Sequence, residues 1–264
     1  MGRIRVLAYN VDGGRAERRP ALAAVLGAAN ADVIALTEAD DSAVAADLGR
    51  LLGLGHVWAQ GSGNRHVAVL SRFPILSWEN HTRPPLTQAA LEVQLALPDQ
   101  STLAVYALHL LPYLLLPFEV RRWQAVGRLL AIIQERRPGP HLILGDLNAV
   151  APGDRVLQRR NPARMRRLMA LQFGLIFRLA LPRLLRAGYV DCFRRLAPQA
   201  DGFTWMPGNP TTRYDYILAD AQLAPRLRAC RVVDQAPAVA TASDHLPVLA
   251  EFEWASAPAV AGHP

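Results

Sequence analysis

LILGDLNAV, residues 142–150, is a run of apolar residues that carries a carboxylate and an amide near its end. Its composition predicts a buried strand. Asp146 and Asn148 stand two residues apart, hence on one side of that strand, with Gly145 just before them. Strands often finish in Asp and Asn because both residues start turns, and that reading suffices for the stretch taken alone. The other reading is chemical, with acid and amide held side by side for a ligand. The rest of the chain decides between them.

The chain has 264 residues, 51% hydrophobic and 19% charged, a folded rather than a disordered balance. One domain over 1–254 is expected, with a disordered tail at 255–264. No apolar run reaches the roughly 18–20 residues of a membrane span. The opening MGRIRVLAYN reads as a strand and not as a secretory signal. Cys192 and Cys230 form neither a metal spacing nor a disulfide framework, so the reducing cytoplasm is expected; the chain is also expected to be a monomer. Net charge is +7, and all 29 basic residues are Arg. Eleven of them fall in residues 155–195 against one acid, Asp191, which leaves the remainder of the chain at −3. That local surplus points to an anionic partner: nucleic acid, a phosphate ester or an acidic membrane surface.

Strand-like runs recur at 4–11, 32–38, 66–72, 90–97, 102–110, 141–148, 214–219, 229–234 and 247–254. Ala/Leu-rich or 3.6-periodic segments predict helices at 16–29, 42–52 and 118–136. A long Arg/Leu helix, broken at Pro182, is expected over 163–187. Helices set between strands that are apolar on both faces predict sheets covered by helices.

Polar residues interrupt these strands at few places. Asn10 lies in the first, Glu38 ends the second, and His109 lies near the end of the fifth. Asp146 and Asn148 close the sixth, Asp215 opens the seventh, and Asp244 with His245 precedes the last. Each alone has an ordinary reading as a turn former, a cap or a buried histidine. Together they put acids, amides and imidazoles at strand ends, where ligand sites of α/β folds collect. This oxygen-rich set with two His and no Cys suits Mg2+, or Mn2+ in its place, better than a structural zinc. Such a cation on one or two carboxylates is equipment for the attack of water on a phosphate ester.

YNVDGG (9–14), IALTE (34–38), VAVLSRFPI (67–75), ALHL (107–110), GDLNA (145–149), RYDYIL (213–218) and SDHLPV (243–248) occur in that order. The series resembles the endonuclease/exonuclease/phosphatase superfamily of deoxyribonuclease-like enzymes, over residues 4–254. The resemblance implies a four-layer α/β sandwich of two mixed β-sheets flanked by helices, with the site at one rim. It also implies roles. Glu38 is the principal Mg2+ ligand with Asn10 beside it, and Asp244 lies near the metal. Asp146 orients the attacking water and Asn148 binds the scissile phosphate. His245, oriented by Asp215, contacts the phosphate or acts as acid/base, and His109 faces the phosphate or the leaving group. Apurinic-site endonucleases tend to have Tyr where His109 stands. Two smaller departures are Leu147, in place of a commoner aromatic, and Asp12, where Asn is frequent.

Substrate contacts are less determined. Trp205 reads as a stacking residue or as rim packing, and Arg213 as a phosphate contact or a partner for nearby acids. Asn64, in the polar loop 61–66, reads as a rim contact or a solvated turn. The expected function is a Mg2+-dependent phosphodiesterase or nuclease acting on nucleic acid. The alternative is a phospholipid or small-molecule phosphoesterase at an anionic membrane. A catalytically dead binding protein is disfavoured by the intact Glu38, Asp146, Asn148 and His245. Residues 155–187 keep two readings: an outer helix packed on a sheet, or a lid that offers Arg and apolar residues to an anionic surface or a peripheral membrane contact.

Overall fold

The computed structural model describes residues 2–254 except 64 and 237. The tail expected at 255–264 lies outside the described residues. Alternation along the strands builds the layers. In β1 (Gly2–Asn10), Val6 and Ala8 point to one side while Leu7 and Tyr9 point to the other, and all four are buried. A strand buried on both faces needs two covers. One is a second sheet, the other a helix layer.

The first sheet runs in the order β11 (Leu227–Val232), β12 (Val248–Trp254), β1, β2 (Val33–Thr37), β4 (Val67–Ser71), β3 (Gly55–Ala59). The second runs β5 (Ile75–Asn80), β6 (Ala90–Ala96), β7 (Thr102–His109), β8 (His141–Asp146), β10 (Asp215–Ala219), β9 (Val190–Asp191). Each mixes parallel and antiparallel pairs: β1 with β2 and β7 with β8 are parallel. Between the sheets lie Val6, Val33, Val69, Val93, Val105, Leu144 and Ile217. Outside the first sheet, Leu7, Ile34 and Leu36 pack on α1 (Arg19–Ala29), α2 (Ser42–Leu52) and α7 (Val239–Ala242). Outside the second, Tyr106, Ile143 and Leu218 pack on α3 (Leu116–Arg136) and α5 (Ala180–Arg186). This is the four-layer α/β sandwich, with α6 (Cys192–Leu196) covering one end.

All nine expected strands are present, with ends moved by at most two residues. Three further strands, β3, β5 and β9, are all sheet edges. The partly exposed side chains of β3 and β5 leave no apolar run to detect, and β9 is only two residues long. The expected long helix at 163–187 is corrected. It is two short helices, α4 (Ala163–Ala170) and α5, joined by a turn through Phe173 (φ 57°) and Gly174 (φ 73°). Pro182 does not break it; it sits in the first turn of α5, where a missing N–H is tolerated. Only α5 packs as an outer helix, burying Ala180, Leu181 and Leu184, whereas α4 buries Met169 alone. Among the described residues no helix is long and apolar enough to cross a membrane.

Candidate active site

Strand register assembles the site. On β7 and β8, His109 stands opposite Asp146; on β8 and β10, Asp215 stands opposite Asp146. Three titratable residues therefore share one rung of the second sheet. In the first sheet Asn10 stands opposite Thr37, and Glu38 follows one residue beyond the pairing. Asn10 joins the two rims: its Nδ2 donates to Glu38 Oε1 at 3.1 Å and to Asp146 Oδ2 at 2.9 Å. His245 enters from the turn before β12. Its Nδ1 donates to Asp215 Oδ2 at 2.7 Å, while Nε2 lies 3.8 Å from Asp146 Oδ2. His109 Nε2 lies 3.6 Å from Glu38 Oε1 and 3.7 Å from Asp146 Oδ2.

The backbone is bent to achieve this. Gly145 has φ 129°, and a Cβ there would lie 2.1 Å from the Leu108 carbonyl oxygen, so the residue before Asp146 must be glycine. Glu38 (φ 53°) and Asn148 (φ 48°) are left-handed. Asn accepts that region readily; for Glu it is unusual, at a cost of about 1–3 kcal/mol that the surrounding structure must offset. Asp146 bears out the turn reading of its stretch and still turns one oxygen toward the cluster. β8 ends at Asp146, however, so Asn148 lies beyond the strand and does not share a strand side with it. Asp146 Oδ1 accepts from the Asn148 backbone N–H at 2.9 Å, a turn contact, while Oδ2 faces the cluster. The Asn148 side chain donates to the Leu110 carbonyl at 3.0 Å.

Burial and crowding set the charges. Burial pushes the Asp146 carboxyl up, with the Asp215 charge adding to it, against His245 and Asn10. Burial likewise raises Glu38, opposed by Asn10 and His245. His109 is pulled down to about 3 by burial, then by Arg65 and His245, and is a neutral imidazole. Burial lowers His245 too, but Asp215, through charge and hydrogen bond, then Asp146 and Asp244 outweigh it and push it up to about 10. Among the described residues, Asp215 Oδ1 and His109 Nδ1 are buried without hydrogen-bond partners.

A divalent cation fits this set. One ligand atom each from Glu38, His109 and Asp146 lie within 4.8 Å of one another, and both carboxyls stay raised although His245 opposes the shift, so a cation between them would offset the remaining cost of their burial. Asp244 is half exposed, with Oδ1 4.0 Å from His245 Nε2. Beyond Glu38 the site opens into a cleft lined by Asp12, Arg15, Asp40, Asp41 and Arg65.

The expected substrate residues fare differently. Arg213 is corrected. It is 1% exposed, and its guanidinium is taken up by Asp154 Oδ2 (2.8 Å) and both oxygens of Asp191 (2.9 and 2.6 Å), so it cannot meet a substrate phosphate. Trp205 is half-buried against Tyr214, with ring centroids 5.8 Å apart, and its backbone pairs with Thr212 and His245. Asn64 lies outside the described residues.

Three positioning contacts were not anticipated. Ser243 Oγ donates to the Asn10 carbonyl (2.6 Å) and accepts from the His245 N–H (3.1 Å), fastening the His245 turn to β1. Thr204 Oγ1 accepts from the N–H groups of Tyr214 and Asp215. Glu119 and Arg122 form a buried ion pair; Arg122 Nη1 donates to the carbonyls of Leu111 (2.6 Å) and Tyr113 (2.9 Å), and Glu119 accepts from the N–H groups of Leu179 and Ala180. That pair pins the loop after His109, which offers the Leu110 carbonyl to Asn148. Ser243 was visible in SDHLPV; Glu119 and Arg122 look from sequence like the solvated charges of a helix.

Residues 7–245 match the model of the Endonuclease/Exonuclease/phosphatase family. Among curated proteins none matches this chain by sequence. Solved structures of similar fold include the 3′ phosphatase NExo from Neisseria bound to product DNA hairpin, at 20% identity and TM-score 0.74, covering 95% of this chain and 100% of that one. An AP endonuclease from Archaeoglobus fulgidus is 18% identical, with TM-score 0.70 and coverage of 95% and 100%. Truncated Caenorhabditis elegans TDP2 is 16% identical, with TM-score 0.66 and coverage of 95% and 97%. At these identities the fold is what is shared. With the family match spanning nearly the whole chain, this protein belongs to the endonuclease/exonuclease/phosphatase family and is a metal-dependent phosphoester hydrolase.

Proposed function

We propose that the protein hydrolyses phosphodiesters of nucleic acid with Mg2+, Mn2+ serving as a substitute. The observation that carries this reading is Asp146 Oδ2, a buried carboxylate oxygen surrounded by Asn10, His109 and His245. Glu38, with Asn10 and Asp244 beside it, would hold the cation, which when bound supplies positive charge against the phosphate oxygens. Asp146 Oδ2 orients the attacking water and takes its proton, a task that its raised carboxyl suits. Asn148 donates to a nonbridging oxygen. His245, protonated and held by Asp215, donates to the phosphate or acts as the acid, and neutral His109 faces the phosphate or the leaving group. Trp205 is the candidate for stacking on a base and Asn64 for a rim contact.

The local surplus of Arg in 155–195 supports a nucleic-acid substrate, as do relatives in fold that include a phosphatase bound to DNA and an AP endonuclease. A second reading, a phospholipid phosphoesterase at an anionic membrane, is favoured by Leu171, Phe173 and Leu175, which are exposed next to the arginines of α4. A cytoplasmic monomer belongs to the same proposal and agrees with the free thiols of Cys192 and Cys230.

The test is a panel of duplex and single-stranded DNA, RNA, abasic DNA, sphingomyelin, phosphatidylinositides and bis(p-nitrophenyl) phosphate, each with Mg2+, Mn2+ or EDTA. Cleavage of a nucleic acid well above the lipids supports the first reading. The reverse order supports the second, and turnover in EDTA contradicts both.

A further inference from the structure

The turn between α4 and α5 carries its apolar side chains outward. Leu171 is 76% exposed, Phe173 94% and Leu175 56%. Phe173 reaches this position with a left-handed backbone, φ 57°, followed by Gly174 at φ 73°. A bulky residue in that region is uncommon, and here the strain is not repaid by packing. The turn is nevertheless built firmly. Gln172 Nε2 donates to the carbonyls of Leu114 (2.7 Å) and Leu175 (2.6 Å), and its Oε1 accepts from the Leu116 N–H (3.1 Å).

Beside the tip stand the arginines of the approach and of α4. Arg159, Arg160, Arg164, Arg166 and Arg167 are exposed, and among the described residues none of them pairs with a carboxylate. The whole stretch 155–190 contains no acidic residue. The surface also adjoins the active site. Gln172 is fastened to the loop that follows His109, and Met169 packs in one cluster with Leu114 and Tyr214, with Trp205, the backbone partner of His245, packed against it.

We infer that this surface docks the protein on an anionic lipid bilayer, with Leu171, Phe173 and Leu175 entering the interfacial layer and the surrounding arginines meeting lipid phosphates. The apolar tip beside the arginines selects this partner. Duplex nucleic acid would satisfy the arginines, but it offers the two exposed leucines no apolar volume. An anionic bilayer satisfies both at once: phosphates for the cations, acyl and glycerol groups for the apolar tip. The inference holds whichever phosphoester is cleaved, because the surface lies beside the catalytic residues and includes none of them.

Flotation with vesicles of equal parts phosphatidylglycerol and phosphatidylcholine tests it, with pure phosphatidylcholine vesicles and duplex DNA as the comparisons. The parent is expected to float with the anionic vesicles at low salt and to bind them far less at high salt. Each Arg removed weakens binding about fivefold, so R160Q/R164Q/R167Q loses about a hundredfold. L171S/F173S weakens vesicle binding while leaving DNA binding as in the parent. Both variants should hydrolyse bis(p-nitrophenyl) phosphate like the parent, which shows that they fold. The inference is overturned if the parent ignores anionic vesicles, or if L171S/F173S binds them as the parent does. It is equally overturned if only DNA is bound, with the arginines needed and Phe173 dispensable.

Discussion

His245 Nδ1 lies 2.7 Å from Asp215 Oδ2, and both residues are buried. The bond orients the imidazole and leaves Nε2 facing Asp146. Burial alone would lower His245; Asp215, with Asp146 and Asp244, pushes it up to about 10. A folded-state value above the unfolded one, about 6.5, stabilises the protein fully below the unfolded value. That contribution is lost as pH rises toward 10. In EDTA, the stability of the parent should therefore fall between pH 7 and 10 more steeply than that of Asp215→Asn. Parallel pH profiles of thermal unfolding would show that the pair does not hold the proton.

Asp146→Asn keeps the shape of the side chain and removes the proton acceptor. Its loss should appear in kcat, by about a hundredfold or more, with KM little changed. Steady-state kinetics on a small phosphodiester decides. A rise in KM alone would make Asp146 a binding residue.

Glu38 holds a left-handed backbone within a crowded acidic cluster, and its proposed role as metal ligand predicts a residue kept at a cost to stability. In EDTA, Glu38→Gly should leave stability unchanged or raise it by up to about 1 kcal/mol while hydrolysis is lost. Urea denaturation measures it. Destabilisation of more than about 2 kcal/mol would give Glu38 a structural role.

Gly145→Ala places a Cβ against the Leu108 carbonyl in a backbone region that L-residues avoid. A loss of at least about 2 kcal/mol is expected, with activity impaired because β7 and β8 must separate at the Leu108–Gly145 rung, next to that of His109 and Asp146. Unchanged stability would mean that the close approach of the two strands is not rigid.

Much of this was legible before the structure. The buried strands announce themselves because both faces are apolar, and the polar residues at their ends stand out against that background. That is how Glu38, Asp146, Asn148, His109, Asp215 and His245 could be named. Edge strands β3 and β5 escape because solvent replaces one apolar neighbour and erases the pattern, and β9 because it is only two residues long. The direction of a charged side chain is likewise unreadable. Arg213 stood beside a site residue and resembled a phosphate ligand, yet it points into a cage made by Asp154 and Asp191. Glu119 and Arg122 looked like surface charges and are the buried support of the loop after His109. Phe173 marks a turn only through its backbone, which its side chain does not forecast.

The most direct test of the account is hydrolysis of bis(p-nitrophenyl) phosphate titrated with Mg2+ from an EDTA-treated start, for the parent and for Glu38→Gln. The parent should be inactive in EDTA and recover saturably with Mg2+, while Glu38→Gln should need far more Mg2+ or stay inactive at every concentration. Turnover that persists in EDTA, equal in the parent and in Glu38→Gln, would contradict the account.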